Sequence, residues 1–471
     1  MKFVLLIWLC AGLTAEAALA MPMRPVRPLK LHPQNPHYFQ YRGKPVLLIT
    51  AGEHYGAVLN PDFNYVKYLD TLAANGLNLT RVFTGAYVEP EGAFNIASNT
   101  LAPATNRFLC PWARSDTPGY ANGGNKFDLN QWDAEYFNRL RDFVTEAARR
   151  DIFVEINLFC PFYDEAQWAL SPLNVRNNVN NVGTVGRTNV YTLDQHGELL
   201  PVQEAMVRRL VGELANFENI YYELCNEPYF GGVTMAWQQH MADLIVAEEK
   251  SLRGQHLISQ NIANGQALIT NAHPAVSIFN FHYASPPEAV AMNYALNKVI
   301  GNNETGFKGT NDATYRREGW EFILAGGGLF NHLDYSFAVG REDGTFEYPA
   351  KQPGGGSPAL RQQLGILKKF IEGMDFIRMK PDQAVIKTKL PVGKRVQVLS
   401  EPGRAYAIYL NGGGLADLTF ELPPGAYEVE SLNPISGKLT VEGSLEIAGS
   451  SMRLFLPYYE QDLAIRLRRV R

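Results

Sequence analysis

The amino-acid sequence predicts an α/β protein: a (β/α)8 TIM barrel over residues 21–381, then a small antiparallel β-sandwich over residues 382–471, with residues 1–20 as a leader. Three observations carry that reading. Eight β-branched and aromatic runs begin near residues 46, 77, 152, 219, 256, 276, 298 and 328, each followed by a helix or a long loop. No Gly-rich phosphate turn follows an early run, as an open doubly wound sheet would want. After Pro381 helical spacing gives way to short alternating runs between turn signals such as Pro423-Pro424-Gly425 and Asn433-Pro434.

In chain order, His37 to Arg42, Gly43-Lys44-Pro45 and Val46 to Thr50 form a hairpin that leads into the first barrel strand. Phe63, Val66, Leu69 and Leu72 have helical spacing, and Asn75-Gly76 is a helix stop. Leu77 to Thr84 is the second strand, with Arg81 near its end. A Gly-, Asn- and Pro-rich loop spans 85–130. Loops of this length inside a compact domain are usually functional. Helix 131–150 and the third strand, Asp151 to Cys160, follow, then a second long loop over 161–198 and a helix from Leu200 to Phe217. Helices at 233–250, 312–325 and 357–373 separate the later strands. In the C-terminal part Arg395 to Ser400, Arg404 to Leu410, Ala426 to Leu432 and Asp462 to Arg468 read as strands. No Ser/Gly-rich linker precedes them, so the sandwich is expected to pack rigidly on the barrel.

Composition removes several function classes. The formal net charge is −4, which gives no electrostatic footprint for nucleic acid. Met1-Lys2, the apolar run Phe3 to Leu13 and Ala18-Leu19-Ala20 read as a signal peptide cut after Ala20, which places the mature protein in the periplasm or outside the cell. That run is short of the ~20 residues a membrane span needs, and no later stretch is apolar enough. Cys110, Cys160 and Cys225 remain after cleavage, an odd number that allows one disulfide but no disulfide framework. His-Glu-x-x-His, Gly-x-Ser-x-Gly and Walker sequences are all missing, and neither a metal nor a cofactor is expected. The oligomeric state is not legible.

The chain is organised around Asn219-Ile220-Tyr221-Tyr222-Glu223-Leu224-Cys225-Asn226-Glu227-Pro228. This is a buried strand that stops at Asn226-Glu227, with Pro228 unable to continue the ladder. A carboxylate at the C-terminal end of a parallel strand is where such barrels carry chemistry. Strand plus Asn-Glu-Pro resembles the acid/base strand of the clan of retaining (β/α)8 glycosidases that includes cellulases and mannanases. The resemblance implies a second carboxylate three strands later. There stands Lys298-Val299-Ile300-Gly301-Asn302-Asn303-Glu304-Thr305-Gly306, a strand ending in Glu304. It further implies that Arg81 supports the nucleophile and that Asn226 bonds the sugar 2-hydroxyl. His282 and Tyr283 are expected as supporting residues, although they are adjacent where the clan often has His-x-Tyr. Arg404 to Leu410, and Tyr427 through Asn433-Pro434 to Gly437, resemble the C-terminal sandwich, labelled collagen-binding, of bacterial secreted glycosidase-like proteins with apiosidases among their relatives.

The expected function is therefore a secreted retaining glycoside hydrolase acting on a carbohydrate. Glu227 is the acid/base, a role that requires a proton held near neutral pH, and Glu304 the nucleophile. The alternative is a non-catalytic carbohydrate-binding or adhesion protein on a barrel scaffold. Glu53 and His54 after the first strand, and Asp334 after the eighth, are candidates for the cleft. Glu155, in mid-strand, belongs to a polar layer inside the barrel. The loop aromatics Trp112, Tyr120, Phe162, Tyr163 and Trp168 are expected to wall a pocket that favours attack on terminal sugars.

Overall fold

The computed structural model describes residues 26–449 and 451–470; the leader and its cleavage site lie outside the described residues. The eight barrel strands are Leu48–Gly52, Leu79–Phe83, Phe153–Asn157, Ile220–Glu223, Ile258–Asn264, Val276–His282, Val299–Glu304 and Leu329–Leu333. They pair in parallel, second with third and so on to the eighth, which pairs with the first. Strands of a parallel barrel are covered on both faces, and here seven of the eight begin on at least four consecutive buried positions. That is why these segments read as continuous apolar runs and not as alternation.

The seam between the first and second strands is bridged by Asn78 and by the Phe83 N–H, which donates to the Tyr55 carbonyl at 3.0 Å. Asn78 donates its backbone N–H to the Ile49 carbonyl, accepts from the Ile49 N–H through Oδ1 at 3.1 Å, and donates through Nδ2 to the Leu47 carbonyl at 2.9 Å. An amide carries one acceptor and two donors, so it substitutes for the missing rungs. The N-terminal hairpin pairs Phe39–Tyr41 with Lys44–Val46 across Arg42-Gly43, both at positive φ, the conformation that a two-residue hairpin demands.

Loop 85–130 carries an antiparallel hairpin, Trp112–Pro118 with Asn125–Trp132, and loop 161–198 carries the short helix Glu165–Leu170. The C-terminal domain is a six-stranded sheet, ordered Lys380–Pro381, Arg395–Glu401, Ala405–Asn411, Asp462–Arg469, Gly425–Leu432 and Leu439–Ile447, plus the pair Gly414–Glu421 and Ser451–Tyr459. Alternation along a strand explains its docking. Tyr406, Ile408 and Leu410 point into the sandwich core, while Ala407 and Tyr409 join the barrel core. Tyr409 stacks on Trp320 of helix Asp312–Leu324, with ring centroids 5.2 Å apart. Around that contact Arg316 forks onto Asp462 (2.8 and 2.9 Å) and Arg395 onto Glu321 (2.7 and 2.9 Å). Cys110, Cys160 and Cys225 are all free thiols.

Candidate active site

The barrel strands deliver side chains to one end of the sheet, the end where each strand stops. Successive residues of a regular strand face opposite ways, so two neighbours cannot both face one cavity unless the backbone turns between them. Here two adjacent pairs do so, His54-Tyr55 after the first strand and Asn226-Glu227 after the fourth, and at the end of the sixth Tyr283 faces the cavity while His282 reaches both acids from behind it. In each, the second residue lies in the left-handed region, with φ of 65° at Tyr55, 36° at Glu227 and 53° at Tyr283. Such conformations cost roughly 1–3 kcal/mol each for non-glycine residues and concentrate where geometry serves a function. At the sixth strand a register shift against the seventh, between Phe281 and His282, accompanies the turn.

Glu304 ends the seventh strand and is buried. Tyr283 donates its hydroxyl to Oε1 at 2.5 Å, Tyr55 donates to Oε2 at 3.2 Å, and Arg81 Nη1 donates to Oε2 at 3.4 Å. Burial pushes the carboxyl up, but the His282 charge, Arg81 and the Tyr283 hydroxyl overcome it and hold Glu304 well below the usual carboxylate range. Arg81 is fixed from beneath by Glu155 (2.7 Å) and Glu223 (2.9 Å), and its Nη2 reaches Asn226 Oδ1 at 2.9 Å. Tyr221, Asn280 and Asn303 bond the same two acids, which completes the polar layer that the mid-strand position of Glu155 suggested.

Glu227 has a different shell. It accepts the Tyr163 hydroxyl at 2.6 Å, the Tyr229 hydroxyl at 3.2 Å and His282 Nδ1 at 3.0 Å. Burial lowers the His282 pKa, yet the Glu304 charge and the bonds to both carboxylates raise it to about 9. Glu227, His282 and Glu304 each place one oxygen or ring nitrogen within 4.8 Å of the others, the one such group able to hold a metal among the described residues. An imidazolium has no lone pair for a metal, so His282 in that state is a donor bridging two acids. Its Nε2 is buried without a protein partner, and the charge is stabilised from the Nδ1 side alone.

Glu227 and Glu304 open into a cavity of about 380 Å³. Of the sequence-predicted site residues, His54, Asn226, Glu227, Tyr283 and Glu304 line it, and Arg81 and His282 stand directly behind. Both His282 and Tyr283 reach Glu304, which resolves the departure from His-x-Tyr spacing. Six expectations are corrected. Glu53 turns away to cap the loop after the first strand, accepting the Gly56 and Ala57 N–H groups, and burial pushes its carboxyl up to about 7. Asp334 is consumed by Arg361 and Ser336. Trp112 is wholly buried beneath its hairpin, and Trp168 packs on Phe162 and donates to the Val185 carbonyl. Tyr120 and Phe162 likewise anchor their loops, so Tyr163 alone of those aromatics faces the cavity. Sequence reasoning missed Tyr229, Glu89, Asn264 and the rim residues Phe94, Phe230 and Phe307. Tyr229 and Phe230 follow Pro228 directly, and that adjacency to Asn226-Glu227 was the available signal.

No family model matches the chain, and no curated protein matches it. Among solved structures it is similar to a glycoside hydrolase at 14% identity and a TM-score of 0.67, over 94% of this chain and 97% of that one. It is also similar to a glycoside hydrolase family 5 protein from Bacteroides vulgatus at 14% identity and a TM-score of 0.65, over 95% of each chain. Likeness at that identity shows the shared fold, barrel and C-terminal sheets together.

Proposed function

We propose that the protein is a retaining glycoside hydrolase in which Glu304 is the nucleophile and Glu227 the acid/base. One observation carries this reading: two carboxylates at the ends of the fourth and seventh strands bring oxygens within 4.8 Å of each other. Retaining enzymes hold their carboxyl groups ~5–5.5 Å apart, and inverting ones ~6.5–9.5 Å, to admit a water. The shells assign the roles. Glu304, among Arg81, His282 and two phenols, is kept ionised for attack on the anomeric carbon. As its oxygen bonds that carbon, the glycosidic C–O bond breaks and the leaving oxygen takes a proton from Glu227. Glu227 then removes a proton from water, which displaces Glu304 and restores it. Asn226, oriented by Arg81, is proposed to bond the sugar 2-hydroxyl.

The resemblance to secreted glycosidase-like proteins and apiosidase relatives, and the leader read at residues 1–20, extend this to a secreted enzyme acting on a poly- or oligosaccharide. Release of terminal sugars is proposed on the aromatic wall that Tyr163, Phe94, Phe230 and Phe307 form around the cavity. A scaffold that only binds would need neither the charged shell of Glu304 nor three strained residues around it. Following product configuration by NMR during cleavage of an aryl glycoside tests the roles. Retention is expected, with Glu227→Ala sparing substrates with good leaving groups and rescued by azide. A product of inverted configuration would sink the assignment.

A further inference from the structure

Beside the two carboxylates, the cavity holds a second polar pair with no part in the chemistry above. Glu89, in the loop after the second strand, is buried, and its oxygens accept from the Tyr87 hydroxyl (2.9 Å) and from Asn99 Nδ2. Two donors leave a carboxylate with free lone pairs. His54 Nε2 stands 3.4 Å from Glu89 Oε2, and neither ring nitrogen of His54 has a hydrogen bond to a protein group. The imidazole is held in place by rings, lying nearly parallel to Tyr55, which bonds the nucleophile, and to Tyr335. A half-buried imidazole and a buried carboxylate, both lining the cavity and both with bonding capacity left, suit a ligand that both donates and accepts there. A sugar hydroxyl does both.

We propose that His54 and Glu89 are the specificity pair of this site, clasping hydroxyls of the substrate's terminal sugar, so that the sugar accepted is uncharged and a uronic acid is refused. The inference rests on reading the site as a glycosidase and adds the substrate class. Refusal follows from charge: Glu89 and Glu304 line the cavity, and each cation beside it is already paired, His54 with Glu89, His282 with Glu227 and Glu304, and the Arg81 guanidinium with Glu155 and Glu223 beneath. A sugar carboxylate would enter a low-dielectric space beside carboxylates, with each cation there already engaged.

The test uses the mature full chain, its Glu89→Gln and His54→Gln variants, and calorimetry beside turnover. Probes are both anomers of the aryl glucosides, galactosides, xylosides and arabinosides, against aryl glucuronides and galacturonides. Wild type should favour neutral over uronic probes by at least 100-fold in kcat/KM or in affinity. Glu89→Gln should narrow that ratio by 10-fold or more, and His54→Gln should weaken neutral probes by a similar factor, with both variants melting like wild type. Failure of the glycosidase reading shows as no cleavage of any probe; binding that still separates neutral from uronic probes and still depends on Glu89 would support the pair. Equal binding of uronic probes, binding of none, or a ratio unmoved by Glu89→Gln overturns it.

Discussion

Two buried arginines organise this molecule, and they do opposite work. Arg316, at the seam between barrel and sandwich, forks onto Asp462 and adds Gln363 and Gln461, while Tyr409 takes the remaining approach to Asp462. Each partner there accepts from Arg316 or Tyr409. Arg81 is equally buried, but it serves three carboxylates, Glu155, Glu223 and Glu304, one of them only at 3.4 Å. With Glu227 added, four acids face two cations, Arg81 and His282. The first network is closed and the second keeps acceptors in excess at the edge of a cavity. A fully matched network fixes geometry; one left short of donors retains the capacity to move a proton and bind a hydroxyl.

The largest effect that separates the two is loss of Glu304. Glu304→Gln should lower kcat by about 10⁴-fold or more, as expected for removing a covalent nucleophile, and should lower the thermal midpoint as well, because the depressed carboxyl no longer contributes to stability. A variant retaining a tenth of wild-type activity toward aryl glycosides would end the distinction. Next is Arg316→Met, which strands Asp462 without its charge partner and should cost about 3–5 kcal/mol in denaturant titrations. The turnover of the folded protein should be unchanged. A fall in kcat at full folding would show that the sandwich seam reaches the site.

How far the sequence disclosed this contrast depends on what each part requires. The eight strands were legible because burial on both faces leaves unbroken apolar runs, and Glu227 and Glu304 because each interrupts such a run at its end. The rest rests on backbone geometry that residue types do not announce. Nothing in the letters marks Tyr55, Glu227 and Tyr283 as left-handed, for glycine is the usual signal and none stands there. The hairpin Trp112–Trp132 was hidden because its strands carry Asp116, Asn125 and Gln131, and apolar alternation is confined to Phe127 and Leu129. The loop tryptophans misled for a physical reason: an aromatic ring on a long loop serves equally to stack on a sugar or to fill the space beneath the loop. Here Trp112 and Trp168 do the latter, and Phe94, Phe230 and Phe307 stand at the rim.

The third expected effect is on pH. His282 is raised above its ordinary value, so its contribution to stability is complete below its unfolded pKa, near 6.5, and is lost as pH rises through about 9. Glu304 is depressed, so its contribution is present above its unfolded value near 4.5 and lost as pH falls through its lower folded value. The pair should therefore give a stability plateau from about pH 4.5 to 6.5 that declines towards 9. His282→Gln should flatten the alkaline decline in thermal midpoints. An alkaline limb unchanged in that variant would remove His282 as the group responsible.

The smallest effect concerns a single hydroxyl group. Tyr283→Phe keeps the ring, which meets Phe307 edge-on at 5.8 Å, and deletes only the 2.5 Å bond to Glu304 Oε1. A hydrogen bond to a charged group contributes ~1.5–3 kcal/mol, but its weight differs between the two steps. In the first, Glu304 surrenders its charge to the sugar, so the bond stabilises the starting state more than the transition state. In the second the carboxylate is regenerated, and the hydroxyl stabilises the charge as it returns. Removal should therefore slow the second step selectively, by about tenfold for each 1.4 kcal/mol of the lost bond. Stopped-flow with a dinitrophenyl glycoside should show a burst of phenol followed by slow turnover, larger than in wild type, and the acid limb of kcat/KM should move upward as Glu304 loses a stabilising donor. A variant with neither an enhanced burst nor a displaced acid limb would leave Tyr283 as packing, and the contrast between the two arginine networks would lose one of the phenols on which it rests.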